Sequence, residues 1–576
     1  MSLNYREIFA ANQKLKESLQ GKEYPVAIIS NIIVHQLKEI FEYTLRKTGI
    51  NASCSIGNYN NIVQDSKKVS NNKLVVIFWE LANIIDGLQY KADLMSTESL
   101  SDLINNVKKE LDFVFNNLKD TSNVIINTFS SLLFNVYNLD PNNLDTIADE
   151  LNKYLIAKLP PNFTLINTDK IIARISVEKS VDMRYYYSSK ALYSIEFYKS
   201  WSKFVLPLVR SLNGKAKKAL IFDCDNTLWK GVLGEDGFDN ILLSATQPGG
   251  TPFEEVQSLA KQLNREGIII GLCSKNNPED VNEVLAKHPK MTLKEADFTI
   301  KKVNWIDKVS NLKSIANTLN IGKDSLVFID DSNFEINFVN ETLPEITTIQ
   351  VPEKISEYPG IIRKNLGLFY NASKTVEDQK RVKMYKQQVK REEAKEGFNN
   401  LESYIKSLKI VLEVYVDELK IIPRMSQMTQ KTNQFNLTTK RYSEADIKKF
   451  VESPDYTVVA IGVHDKYGDN GITGLAILNQ NDIHAEIDTF LMSCRIIGRN
   501  IENRFFDYLI DLLKKRGIRK LYANYIKTLK NNQVNDFYNR LGFTLINEEN
   551  GNKKYELELN HYKSSFINYI QINHGR

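Results

Sequence analysis

Lys218-Ala219-Leu220-Ile221-Phe222-Asp223-Cys224-Asp225-Asn226-Thr227-Leu228-Trp229 is an apolar run that ends abruptly in two carboxylates and a threonine. Ala219 to Phe222 reads as a strand buried on both faces, as in a parallel sheet flanked by helices. Ligands of open α/β sheets sit beyond the carboxyl ends of such strands, which is where Asp223 and Asp225 fall. Side chains alternate along a strand, so these two carboxylates point the same way and can share a cation, while Cys224 points elsewhere. A bare Asp-x-Asp also occurs at ordinary strand-end turns. Buried like charges are costly unless a metal or a proton offsets them, and that cost favours a site.

Three later segments add to it. Ile268 to Cys273 is another buried-strand run and ends at Ser274, a small hydroxyl donor. Lys308 opens a helix whose apolar residues Val309, Leu312, Ile315, Ala316 and Leu319 share one buried face. Ser325-Leu326-Val327-Phe328-Ile329 then runs straight into Asp330-Asp331. A phosphate needs its charge neutralised. A divalent cation held by Asp223 and the second carboxylate pair would do that, with Ser274 and Lys308 on the remaining oxygens, and Mg²⁺ suits an all-oxygen site. The order of motifs resembles the four-motif signature of the haloacid dehalogenase superfamily of phosphohydrolases, over residues 215–372. The resemblance implies that Asp223 attacks phosphorus, that Asp225 shuttles a proton, and that Thr227, Ser274 and Lys308 hold phosphate. It draws the metal ligands from Asp223, Asp225, Asp330 and Asp331, with Asp331 ahead of Asp330 as the direct one.

Between Thr227 and Ser274 there is no room for a large cap domain, only for a hairpin around residues 229–237, so the site would be open to macromolecules. Asp223 to Gly237, Asp-Cys-Asp-Asn-Thr-Leu-Trp-Lys-Gly-Val-Leu-Gly-Glu-Asp-Gly, resembles the FkbH-like or type IIIC branch of that superfamily. The likeness recurs at residues 431–439, 467–471 and 490–495. It implies a glyceryltransferase of polyketide-type biosynthesis, which takes the glyceryl unit of 1,3-bisphosphoglycerate and loads it on the phosphopantetheine arm of an acyl carrier protein.

A chain of 576 residues is too long for one core and predicts about three domains. Apolar content of 42% and charged content of 25% are those of an ordinary soluble protein. No apolar run approaches the roughly 20 residues of a membrane span, and the polar start does not read as a signal peptide, so the expected location is cytoplasmic with no membrane partner. Cys54, Cys224, Cys273 and Cys494 show no Cys-x-x-Cys spacing, which supports neither a disulfide framework nor a zinc site. A net charge of +5 gives no case for nucleic acid.

Residues 1–200 alternate strand-like runs (24–31, 74–80, 124–127) with helical stretches, which predicts a doubly wound α/β domain. It resembles the SGNH-hydrolase-like or flavodoxin-like domain of longer relatives, with Ser30 where an esterase serine would sit. No late Asp-x-x-His is found to activate it, so a turn or helix-cap role is weighed beside the catalytic one. Residues 373–399, from Lys374 onward dense in Lys, Arg, Glu and Gln, read as a solvated helical connector.

Residues 400–560 predict an α+β domain, followed by a tail at 561–576. Val458–Val463 and Gly474–Leu478 read as paired strands joined by Gly468-Asp469-Asn470-Gly471, and Arg495 to Asn500 as the opening of a helix. Arg495-Ile496-Ile497-Gly498-Arg499-Asn500 is similar to the pyrophosphate loop of the Gcn5-related acyltransferases, departing from it at Asn500; Asn531 and Phe537-Tyr538-Asn539-Arg540-Leu541-Gly542-Phe543 resemble their later motif. The resemblance implies a pantetheine site at Arg495, Gly498, Arg499, Asn531 and Tyr538, with Cys494 beside the thioester. Arg495 and Arg499 would favour a nucleophilic thiolate there. Cys224 is the rival acceptor of the acyl group, and the sequence leaves the choice open. Two other functions stay in view: a small-metabolite phosphatase with a scaffold domain, and a non-catalytic carrier-protein docking module.

Overall fold

The computed structural model describes residues 3–19, 23–134, 140–372, 376–395, 397–398, 400–528, 530–565 and 567–575. The chain is mixed α/β and divides into two units, Met1–Arg210 with Tyr442–Asp446, and Ser211–Arg441 with Ile447–Arg576. Among the described residues no helix is long and apolar enough to cross a membrane.

In the first unit, β1 (Tyr24–Ser30), β2 (Ala52–Ile56), β3 (Leu74–Phe78), β4 (Val124–Asn127) and β5 (Phe163–Ile166) form a parallel sheet in the order β2-β1-β3-β4-β5. Val26 to Ile29 and Leu74 to Phe78 are wholly buried, the continuous burial that a two-sided parallel sheet imposes. Ser30 ends β1, and its Oγ accepts a hydrogen bond from the Ile32 amide at 3.0 Å, a turn-forming contact.

The second unit carries two sheets. β6 (Ala219–Phe222), β7 (Ile269–Ser274), β8 (Ile300–Val303), β9 (Leu326–Asp330) and β10 (Thr347–Gln350) are parallel in the order β10-β9-β6-β7-β8. β6 lies between β7 and β9, so the residues that follow all three strands meet at one sheet end. Between β6 and the helix Thr251–Arg265 the chain makes a one-turn helix, Leu233–Asp236, and an antiparallel bridge from Lys230 to Leu242.

The last sheet contains β11 (Val411–Val416), β12 (Phe435–Asn436), β13 (Tyr456–Asp465), β14 (Gly468–Asn481), β15 (His484–Met492), β16 (Lys520–Tyr525), β17 (Thr544–Glu549), β18 (Asn552–Glu558) and β19 (Gln571–His574). Its path is β17-β18-β16-β15-β14-β13-β11-β19. β15 and β16 run parallel and pair only between His484–Lys520 and Ile487–Ala523. Past that point β12 pairs with β15, Phe435 opposite Met492, and Ile526 N donates to Leu437 O at 2.8 Å. The chain's own residues 435–437 therefore fill the gap between the two parting strands.

Four local expectations are corrected. The β13–β14 turn is Lys466-Tyr467, stabilised by the Tyr467 amide donating to Asp465 Oδ1 at 2.9 Å, and Gly468 to Gly471 belong to β14. The helix after β15 begins at Ile501, because Asn500 takes a left-handed φ of 61° and residues 494–496 form a 3₁₀ turn. The helix Val376–Lys395 is no solvated connector: Met384, Tyr385, Gln388 and Arg391 are buried. Lys374 and the rest of 373–375 lie outside the described residues, as do 396 and 399. Finally, the expected tail contributes β19, with Ile567 and Ile570 in the core.

Candidate active site

β6 and β9 end side by side, locked by the Asp223 amide donating to Ile329 O at 2.9 Å. This brings Asp223, Asp330 and Asp331 together: each offers a carboxylate oxygen, all within 4.8 Å of one another. A trio of oxygen donors at a strand end fits a hard divalent cation. Lys308 completes the cluster from the first turn of the helix Lys308–Leu319, whose start is capped by Asp307 accepting from the Ser310 amide at 2.8 Å. Its Nζ lies 3.1 Å from Asp223 Oδ2 and 2.5 Å from Asp330 Oδ2, and all three side chains are buried.

The electrostatics follow from that burial. Lys308 is shielded from water, which alone would lower its pKa, but the charges of Asp223 and Asp330 outweigh this and hold the ammonium well above its ordinary value. Burial, then the Asp223 charge, raises Asp330 to about 7, with Lys308 opposing. The same two causes raise Asp331. Such mutual repulsion is what a bound cation relieves.

Asp225 stands apart from that trio. β6 ends at Phe222, so strand alternation stops before Asp225, and the turn carries Asn226 at a φ of 50°. Asp225 Oδ1 accepts from Trp229 Nε1 and from the Leu233 amide, each at 3.0 Å, and Oδ2 from Asn276 Nδ2 at 3.0 Å. Burial nevertheless raises its pKa. An acid pinned by three donors beside the trio is suited to moving a proton rather than to sharing the cation.

Ser274 ends β7 and is buried; it hydrogen-bonds Cys224. Thr227 is fully buried, with Oγ1 unpartnered among the described residues. Cys224 is fully buried in the core with Phe222, Leu228 and Trp229, and burial followed by the Asp223 charge raises its pKa well above the thiol range. It is a packed thiol, and burial favours its neutral form.

The carboxyl-terminal set is dispersed. Cys494 is half-buried, with Tyr385 Oη 3.9 Å from its Sγ and its carbonyl accepting from Asn320 Nδ2. Arg495 Nη2 donates to Asn470 O at 3.2 Å. Arg499 is taken up by other partners: its Nη1 pairs with Asp465 Oδ2 at 3.3 Å and its Nη2 donates to Gln388 and to Arg495 O. Gly498 has a φ of 81°. Asn531 is wholly buried, donating to Asn436 O at 2.9 Å and Ile526 O at 2.8 Å, so it clamps β12. Tyr538 is buried at 1% exposure, and burial raises its phenol far above the usual range.

Two rulers separate Cys494 from the carboxylates. Asn320, which holds the Cys494 carbonyl, follows the last turn of the helix that Lys308 begins; twelve residues at 1.5 Å place it about 18 Å from Lys308. Lys218 lies in the same cleft as Cys494 and precedes β6, whereas Asp223 follows it, about 16 Å away at the rise of a parallel strand.

Sequence reasoning missed Asn276, Trp229 and Asn226 as supports of the carboxylates, the last through a side-chain hydrogen bond to Asp331. Their signal was proximity in sequence to Ser274 and Asp225.

No protein-family profile and no curated protein matches the chain. Among solved structures it is similar to the N-terminal part of the protein BF1531 from Bacteroides fragilis, which contains a phosphatase domain complexed with Mg: 26% identity, a TM-score of 0.56, 65% of this chain and 100% of that one covered. Partial likenesses are to the GNAT domain of S. lividans PAT (16% identity, TM-score 0.22, 25% of this chain and 89% of that one) and to the ribosomal-protein-S18-alanine N-acetyltransferase from Escherichia coli (15%, 0.21, 26% and 94%). About two thirds of the chain thus shares its fold, and a quarter of its aligned residues, with a protein part that contains a phosphatase domain and is complexed with Mg.

Proposed function

We propose that the chain is a Mg²⁺-dependent phosphatase of the haloacid dehalogenase type that works as a glyceryltransferase, with 1,3-bisphosphoglycerate as donor and the pantetheine arm of an acyl carrier protein as acceptor. The observation that carries the phosphatase part is the convergence of Asp223, Asp330 and Asp331 with Lys308 at the end of β6. The motif order and the Mg-bound phosphatase neighbour support it. Residues 215–372 are the catalytic domain in this reading, 1–200 an SGNH/flavodoxin-like domain, 373–399 the connecting helix and 400–560 a Gcn5-related acyltransferase-like domain.

Bound Mg²⁺ would supply charge neutralisation for the phosphate, held by Asp223, Asp330 and Asp331. Asp223 attacks phosphorus, and the bond from phosphorus to the leaving oxygen breaks. Asp225, whose raised pKa leaves it a usable acid, protonates that oxygen; its carboxylate then takes a proton from the water that hydrolyses the phosphoaspartate. Lys308 and Ser274 bind the phosphate oxygens, with Thr227 packed beneath.

Of the two thiols, the accessible one is Cys494, and the acyl group is assigned to it: the thiolate attacks the carbonyl carbon of the acyl phosphate, the bond from that carbon to the phosphate oxygen breaks and inorganic phosphate leaves, while Asp223 acts on the phosphate ester at the other end of the donor. The separation of roughly 16 Å along β6 favours a second reading too, a phosphatase of small metabolites in which no thiol meets the substrate. Intact-mass analysis with 1,3-bisphosphoglycerate, Mg²⁺ and pantetheinylated carrier decides between them. Transfer requires a glyceryl adduct on the carrier that disappears with Cys494→Ser. Phosphate release without any adduct leaves the plain phosphatase.

A further inference from the structure

At the end of the β6–β9 sheet remote from Asp223, the second unit encloses a cleft of about 90 Å³. Its walls come from the residues that precede β6 and β9, from the helix Val376–Lys395, from the helix Ile422–Lys431 and from the turn after β15. Four of its lining side chains, Arg381, Arg424, Lys431 and Arg495, come from three separate segments of the chain, and Lys217, Lys218 and Lys530 add to them. Among the described lining residues the single carboxylate is Asp324, which pairs with Lys530. Arg495 is 7% exposed, and its Nε has no acceptor among the described residues. The thiol of Cys494 forms part of the same wall, beside Tyr385.

The neighbours feel this concentration of charge. Burial lowers Lys431 well below its ordinary value, and Arg381, Arg424, Lys218 and Arg495 push it the same way. Burial likewise lowers Arg381 to about 10, Arg495 adding to the effect and Tyr385 and Cys494 opposing it. Asp324 would be raised by burial, yet Lys530, Lys218 and Lys217 hold it below the usual carboxylate range. A concave, poorly solvated cleft lined by several cations focuses their field on an entering anion. Arginine and lysine donors converging from different segments suit the several oxygens of a phosphate.

We infer that this cleft is a second anion site, distinct from the carboxylate trio, that binds a phosphate-bearing ligand through Arg381, Lys431 and Arg495 and lays it against the Cys494 thiol. A small phosphorylated acid and a phosphopantetheine arm share that chemistry. The inference stands apart from the reaction at Asp223, since the two sites lie at opposite ends of β6.

Cys494 is the half-buried thiol of the chain, while Cys54, Cys224 and Cys273 are buried, so alkylation of the native protein reports on the cleft. The full chain is labelled with iodoacetamide in EDTA, which removes Mg²⁺ from the other site, and Cys494 modification is followed by peptide mass. The probes are 3-phosphoglycerate and S-methyl-phosphopantetheine, with S-methylpantetheine as the phosphate-free control. At about ten times its Kd a bound probe slows labelling about tenfold by mass action. Protection by either phosphate probe, absent with the control and lost in Arg381→Gln and Lys431→Gln but kept in Lys431→Arg, supports the site; which probe protects identifies the source of the phosphate. Equal protection by the control, undiminished protection in the two Gln variants, or no protection of the wild type by any probe at millimolar concentration overturns it. The wild-type comparison stands even where a variant fails to fold.

Discussion

Arg391 grips Asp465 with two parallel hydrogen bonds, Nε to Oδ2 at 2.9 Å and Nη2 to Oδ1 at 2.8 Å, and both side chains are fully buried. Arg499 adds a third contact to Asp465 Oδ2 at 3.3 Å. The bridge ties the helix Val376–Lys395 to the β13–β14 corner. Breaking one partner of a buried pair leaves an uncompensated charge, so Asp465→Asn is expected to cost about 3–5 kcal/mol, read as a lowered urea midpoint. A loss below about 1 kcal/mol, the range of an exposed pair, would show that water reaches the bridge.

That helix also marks where the sequence was hard to read. A segment dense in Lys, Arg, Glu and Gln looks solvated, because long charged side chains rarely enter a core unpaired. The partner that lets Arg391 do so is 74 residues away, beyond any local pattern. The parallel sheets were legible for the opposite reason: Ala219–Phe222, Ile269–Cys273 and Leu326–Ile329 are buried on both faces, which forces continuous apolar runs. The site was legible in its charged members, Asp223, Lys308, Asp330 and Asp331, but Asp225 was placed by strand alternation that ends one residue before Asp223. The gap-filling β12 was also beyond reach, since two residues, Phe435 and Asn436, carry no period.

Lys308→Met removes the buried cation that faces Asp223 and Asp330. With a fixed electrostatic donor lost, the transition state loses about 2.7–4 kcal/mol, a fall in phosphate-release kcat of about two to three orders of magnitude. Steady-state kinetics at saturating Mg²⁺ measure it. An unchanged kcat would reduce Lys308 to a packing residue.

Asn276→Ala deletes one of the three donors to Asp225. Hydrogen bonds to a carboxylate favour its charged form, so removal raises the Asp225 pKa further, and the limb of the pH–kcat profile that reports this acid moves to higher pH, with a kcat loss of about tenfold. Asn276→Asp, which cannot donate in its ionised form, should shift the limb in the same direction. A profile that keeps its position in both variants contradicts the positioning role.

Glu80 follows β3 in the first unit, and burial raises its carboxyl from 4.5 to about 7, although Tyr193 Oη donates to Oε2 at 2.8 Å. Its folded-state pKa exceeds its unfolded one, so between those values the folded chain holds the extra proton. The stability contribution is complete below about pH 4.5 and declines as pH rises toward about 7, by at most about 3 kcal/mol. Glu80→Gln is expected to flatten this decline and to raise stability at pH 8 relative to wild type. Urea unfolding of the full chain at pH 5 and pH 8 tests it; an equal slope in both proteins contradicts the assignment.

Release of the ester phosphate of 1,3-bisphosphoglycerate, counted apart from the acyl phosphate that thiol attack sets free, by wild type and Asp223→Asn, each titrated with Mg²⁺, tests the carboxylate site most directly. The wild type should release this ester phosphate only with Mg²⁺. The variant, folded by circular dichroism, should release none at any Mg²⁺ concentration, because it lacks both the nucleophile and one ligand charge. Ester-phosphate release by Asp223→Asn at the wild-type rate would contradict the account.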